Sequence, residues 1–121
     1  MLFRSLTTED TYRFWVDAEG SDVRGYICYG PTPMTRGTFD LYWIAVHPAY
    51  KGKGVGRILV DAMENELRAE GGRLVRVETA GMDEYESTRV FYDRLGYEVV
   101  ARIKDFYWPG NDLVIYGRYL A

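Results

Sequence analysis

Cysteine is nearly absent from this 121-residue chain. Cys28 stands alone, so no internal disulfide can form and a reducing, intracellular setting is expected. Its plain role is that of a buried structural thiol, and the lack of a base paired with it by motif argues against an acyl-enzyme route. Histidine is equally scarce: His47 is the single copy and reads as a strand-end residue, which argues against a metal site built on His and Cys. No apolar run approaches the roughly 18 residues that span a bilayer, and the opening Met1-Leu2-Phe3-Arg4 lacks an apolar signal core. A soluble, cytoplasmic protein with no membrane partner is expected. No internal repeat, linker or low-complexity tract divides the chain. One compact domain over residues 1–121 is therefore expected, long enough to bury about two thirds of its surface.

Positive charge is also in short supply. Fifteen Lys and Arg face eighteen Asp and Glu, for a net charge of −3; with a pI near 5.2, the overall field does not favour nucleic acid or an anionic membrane. The local balance inverts this. Residues 41–60 hold Lys51, Lys53 and Arg57 but no Asp or Glu. What the chain has in abundance is aromatic side chain, with eleven Tyr and three Trp, which suits strand-rich packing or an adhesive surface such as that of a homodimer.

Alternation over residues 12–18, the turn cluster Glu19-Gly20-Ser21-Asp22 and the run Val23–Tyr29 predict a hairpin. A Pro- and Gly-bracketed loop follows, and Phe39–Val46 predicts a central strand closed by Pro48. From Gly54 to about Glu70, Val55, Leu59, Met63 and Leu67 recur every fourth residue before Gly71-Gly72, the pattern of an amphipathic helix with its stop. Leu74–Val77 is a short strand. Asp83-x-x-Glu86 reads as a capping box for a second helix carrying Phe91 and Leu95 and closed by Gly96. Tyr97–Lys104 and Leu113–Leu120 are two more strands across the Trp108–Asp112 turn, giving the order β-β-β-α-β-α-β-β. The first dozen residues read as a frayed end or a short helix start.

Lys51-Gly52-Lys53-Gly54-Val55-Gly56-Arg57 joins the central strand to the first helix, where glycines let the main chain approach an anion and unpaired N–H groups carry the positive end of the helix dipole. Two phosphate templates fail on spacing. A P-loop needs Ser or Thr after its Gly-Lys, and here Gly52-Lys53 precedes Gly54; a dinucleotide turn needs glycine three residues after Gly56, where Leu59 stands.

Val46-x-Pro48-x-x-Lys51-x-x-Gly54-x-Gly56-Arg57 resembles the acetyl-CoA signature of the GNAT superfamily of N-acetyltransferases. Phe91-Tyr92-Asp93-Arg94-Leu95-Gly96-Tyr97 resembles its Phe-Tyr-x-x-x-Gly-(Phe or Tyr) segment, and the likeness runs from about Val23 to Tyr119. It implies an α+β fold whose mixed sheet splays open at its centre between flanking helices, with a shortened region before the first hairpin. It further implies acetyl-CoA as cosubstrate, main-chain contacts from Ile44, Ala45 and Val46, and a pyrophosphate cradle of Lys51, Gly52, Lys53, Gly54, Val55, Gly56 and Arg57. The family often carries Asn and Ala where this chain has Tyr85 and Thr88.

The implied reaction is acetyl transfer to a primary amine by direct attack. Tyr92 matches the family's general acid toward the departing thiolate. For the base, Asp40 stands where some members place a catalytic Glu, Glu78 is the alternative, and an ordered water chain is a third route. The acceptor pocket is expected among the Gly30–Gly37 loop, the Asp83–Glu86 segment and the Asp105–Asp112 hairpin, where Asp83, Glu84, Glu86, Asp105 and Asp112 attract a cation and Tyr85, Tyr107 and Trp108 face it. The acceptor is a small molecule or a peptide. A non-catalytic acyl-CoA-binding or sensory module is the rival reading.

Overall fold

A computed structural model describes residues 1–4 and 11–120. Its nine elements run β1 (Leu2–Arg4), β2 (Arg13–Glu19), β3 (Asp22–Pro31), β4 (Thr38–Val46), α1 (Val55–Ala69), β5 (Leu74–Ala80), α2 (Glu86–Arg94), β6 (Glu98–Trp108) and β7 (Asn111–Tyr119), with short 3₁₀ turns at Pro48–Tyr50 and Asp83–Tyr85. The strands form one mixed sheet in the order β1-β2-β3-β4-β5-β7-β6. No helix among the described residues is long and apolar enough to cross a membrane.

The expected order gains a strand. Leu2–Arg4 pairs antiparallel with Trp15–Asp17, a three-residue element too short for alternation to reveal it, in a stretch read as a frayed end or helix start. The rest of that stretch, residues 5–10, lies outside the described residues. The capping box is a second correction. Asp83 opens the 3₁₀ turn, and α2 starts only at Glu86 with Tyr85 at the N-cap and no side-chain capping bond. Two strands also outrun their predicted ends: β5 continues to Ala80 because Thr79 and Ala80 pair with Val114 and Leu113, and β6 continues to Trp108, paired with Asn111.

Alternation sorts the sheet residues that meet the helices. Ile27 and Tyr29 of β3, Phe39 and Leu41 of β4, Val75 and Val77 of β5, and Val114 and Tyr116 of β7 join one buried cluster with Val55, Leu59, Met63 and Leu67 of α1 and Tyr92 of α2. The four-residue recurrence on α1 thus does what its period requires. Gly71, at φ +81°, ends that helix in the left-handed region, and Gly72 N–H donates to Leu67 O at 2.7 Å. Not every charged position on α1 is solvated. Glu64 is 2% exposed and accepts the Tyr97 hydroxyl at 2.7 Å, while Glu66 accepts Arg4, Arg13 and the Tyr29 hydroxyl and so ties β1, β2 and β3 to the helix.

The feature that positions the site is the β4–β5 junction. These strands run parallel, joined by the crossover helix α1, but pair only over Thr38–Asp40 with Leu74–Arg76. Beyond Asp40 they part. Tyr42 is an extra residue in β4, since Cys28 pairs with Trp43 and Tyr29 with Leu41, and such a bulge bends and twists its strand. The β5-facing main chain of β4 beyond that point meets no strand among the described residues.

Candidate active site

The parting of β4 and β5 opens two adjoining grooves. The first, about 740 Å³, lies between Ile44–Val46 of β4, the Tyr50–Arg57 turn and the α2 residues Ser87, Thr88, Phe91 and Arg94. The second, about 460 Å³, lies between the ends of β4 and β5, the Tyr85 turn and the tip of the β6–β7 hairpin. Ile44, Thr88 and Tyr92 line both.

Local chemistry builds the first groove. Gly54 is the N-cap of α1 at φ +79°, makes no side-chain capping bond, and is followed by a first turn without acidic residues. The first N–H groups of the helix therefore lack intrahelical partners and side-chain caps, at the positive end of the dipole. Gly56 answers a different need. A Cβ there would lie 2.8 and 2.9 Å from ring atoms of Phe91, so glycine is what lets α1 meet α2 closely at the groove. Lys51 and Arg57 line the same groove, adding two cations. Together with the open main chain of β4, these features fit a ligand with an anionic diphosphate and an amide-bearing arm.

Ten residues were expected to hold the cosubstrate, and nine of them line this groove: Ile44, Ala45, Val46, Lys51, Gly52, Gly54, Val55, Gly56 and Arg57. Lys53 does not. Its ammonium lies 5.7 Å from the centre of the Tyr50 ring, a cation–π contact beside the groove. Arg94 lines the groove without having been singled out; its position three residues after Phe91 on a helix was the available signal.

Tyr92 sits where the grooves meet. It is 2% exposed, with its ring 5.2 Å from Phe91, 5.6 Å from Tyr97 and 6.0 Å from Tyr116. Burial alone pushes its pKa up to about 12, so the phenol is neutral and able to donate at any ordinary pH.

The two carboxylates weighed as base part company. Asp40 accepts Arg76 Nε at 2.8 Å and lines neither groove. Glu78 lines the second groove with a half-exposed side chain, 3.7 Å from Arg76. The expected acidic loop residues are elsewhere: Asp83, Glu84, Glu86, Asp105 and Asp112 line neither groove, and the Gly30–Gly37 loop also stands apart. Asp105 and Asp112 are hairpin staples, since Asp112 accepts Asp105 N–H at 2.9 Å and Arg102 Nε at 2.7 Å, and Asp105 accepts Gly110 N–H at 2.8 Å. They hold a four-residue bulge, Lys104–Tyr107, with Asp105 at φ +56°. The expected aromatics are in place. Tyr85, Tyr107 and Trp108 line the second groove, joined by Tyr42 and Trp43 from the β4 bulge.

Cys28 is fully buried, and desolvation pushes its thiol up to about 11, the environment of a structural residue rather than a nucleophile. His47 ends β4 and accepts Ala49 N–H through Nδ1 at 3.1 Å, capping the Pro48–Tyr50 turn.

Comparison with known proteins agrees with this architecture. A GNAT-family protein from Desulfovibrio desulfuricans is 46% identical, with a TM-score of 0.90 over 92% of this chain and 71% of that one. The yncA protein of Salmonella typhimurium, solved with its cofactor acetyl-CoA, is 25% identical, with a TM-score of 0.74 over 91% of this chain and 65% of that one. An aminoglycoside 6′-N-acetyltransferase complexed with coenzyme A shares the fold at 17% identity, TM-score 0.80, over 92% and 74% of the two chains. The model of the acetyltransferase (GNAT) domain matches residues 10–99, and on that match and the 46% identity this chain belongs to the GNAT acetyltransferase family.

Proposed function

We propose that this protein transfers an acetyl group from acetyl-CoA to the nitrogen of a primary amine by direct attack. One observation carries the reading: an anion-cradling groove and an aromatic groove holding one carboxylate meet at a buried, neutral tyrosine. The main chain of Val55–Arg57, with Lys51 and Arg57, holds the diphosphate, and the open edge of Ile44–Val46 hydrogen-bonds the arm. When bound, acetyl-CoA supplies an activated acyl carbon and a thiolate leaving group.

Glu78 attracts the ammonium form of the amine, and the nitrogen loses its proton to Glu78 or to water before attack. As the new C–N bond forms and the C–S bond breaks, the Tyr92 hydroxyl gives its proton to sulfur, and the second proton that the nitrogen sheds on becoming an amide restores the phenol, directly or through water. A free thiol has a pKa near 8.5; a phenol near 12 therefore stays protonated until charge develops on the leaving group. Asp40 takes no part, because its carboxylate is committed to Arg76.

The test is acetyl-CoA-dependent thiol release over a broad amine panel, with product mass measured. Tyr92→Phe is expected to lower kcat about 100-fold, within the range of a lost general acid, while CoA affinity by calorimetry is retained. Unchanged turnover would remove Tyr92 as the acid. CoA binding without product from any amine would favour the non-catalytic module.

A further inference from the structure

The second groove has a chemistry of its own. Its walls carry Tyr42 and Trp43 on one side and Tyr85, Tyr107 and Trp108 on the other. All five rings are more than a third exposed although they flank a concave site, where burying them in contact with a ligand is favourable. Among the described residues, charge in the lining is confined to a single carboxylate, Glu78. Asn111 closes the floor of this groove at 2% exposure, its Oδ1 buried and without a hydrogen-bond partner among the described residues.

Taking the acetyl-transfer reading as its basis, we propose that the acceptor is an arylalkylamine, a single primary ammonium on a short linker from an aromatic ring. The ring stacks among the five aromatics, and the ammonium lies between Glu78 and the ring faces. A polyamine or an aminoglycoside fits poorly, because among the described residues several cations or many hydroxyls would meet one carboxylate and five ring faces. A volume of about 460 Å³ suits a small ligand of this kind.

The substrate wall is also mechanically defined. Tyr107 and Trp108 reach the groove from the bulged tip that Asp105 and Asp112 staple, so these acids are positioning residues for substrate aromatics rather than cation attractors.

The experiment compares 2-phenylethylamine, hexylamine and spermidine, both as acceptors in thiol release and as ligands of the CoA-loaded protein in calorimetry. Phenylethylamine is expected to bind and react about 10-fold better than hexylamine, the scale of aromatic and cation–π contacts, and spermidine worse than either. Trp108→Leu should raise KM for phenylethylamine several-fold more than for hexylamine, with CoA affinity retained; Glu78→Gln should raise KM for both monoamines. Faster turnover of spermidine, or equal losses for both monoamines in Trp108→Leu, would overturn the substrate class while acetyl transfer stood. Should no amine release thiol, the transfer reading fails, and calorimetry still decides the ligand class: preferential phenylethylamine binding supports it, and absence of that preference overturns it.

Discussion

Tyr92 illustrates how a single side chain acquires a role from its surroundings. In water a tyrosine titrates near 10; within the ring cluster of Phe91, Tyr97 and Tyr116 it is raised to about 12 because the phenolate loses its solvent. The sign matters for activity. A raised pKa keeps the acid protonated, so kcat/KM should climb with pH as the acceptor amine deprotonates and show no descending limb below about pH 10. A descending limb near pH 8 to 9 in the rate profile would assign the proton to another group. Cys28 is raised for the same reason but faces no groove, so the identical physical effect there yields an inert thiol. The Phe-Tyr segment made Tyr92 legible in the sequence. Asn111 gave no such signal, because its unpaired Oδ1 exists only once β7 lies beside the groove.

Two elements set the site's shape, and each fails in its own way. At the start of α1, Gly54 and Gly56 are both glycine for different reasons, one for a positive φ in open space and the other for contact with Phe91. Gly54→Ala should cost about 1–2 kcal/mol through left-handed strain. Gly56→Ala should cost about 1–3 kcal/mol through overpacking and should also weaken CoA binding, since Phe91 lines that groove. Thermal melts paired with CoA calorimetry separate the two. In the β6–β7 hairpin, Asp112 holds both Arg102 and the Asp105 N–H. Asp112→Ala is expected to raise the KM for the amine several-fold with CoA affinity unchanged, read from steady-state kinetics beside calorimetry; an effect on CoA alone would contradict the staple's role. The sequence marked this hairpin through Pro109-Gly110 but ended its strand at Lys104. Four residues opposite the single Asp112 break the alternation that a period-2 reading follows.

Over the whole molecule, Glu66 and Asp17 carry the acid sensitivity. Burial would raise the Glu66 pKa, yet hydrogen bonds from Arg4 and Tyr29 and the nearby guanidinium charges hold it below the usual value. Asp17 is likewise lowered, its burial being outweighed by Arg24 at 2.7 Å among its partners. For a depressed carboxylate, the stabilisation is complete above the unfolded pKa, about 4, and is lost as pH falls through the folded pKa. The melting temperature should therefore fall as pH drops below about 5, and Glu66→Gln should flatten part of that slope while lowering stability at neutral pH. A Glu66→Gln melting profile parallel to wild type would exclude Glu66 from the effect. Among the described residues, β6 and β1 form the sheet's outer edges, and the bulges of β6 at Val100 and Lys104–Tyr107 interrupt its edge, a device that discourages further strand pairing.

By itself the sequence determined the helices, the order of the long strands, the glycine cradle and the tyrosine at its end. Those are matters of short-range spacing: a four-residue apolar period, glycines where the backbone needs them, and a motif within one helix. Tertiary structure decided which acid borders a groove. Asp40 and Glu78 both stand out along the chain, but Asp40 holds Arg76 Nε at 2.8 Å and lines neither groove, whereas Glu78, 3.7 Å from the same guanidinium, lines the second. It decided too that Lys53 stands aside and that Asp105 and Asp112 hold a hairpin tip. Such outcomes depend on partners from strands 36 residues or on bulges seven residues apart, and no local pattern encodes which of several neighbours a charge will meet. The parting of β4 from β5, which opens both grooves, is a property of the sheet as a whole.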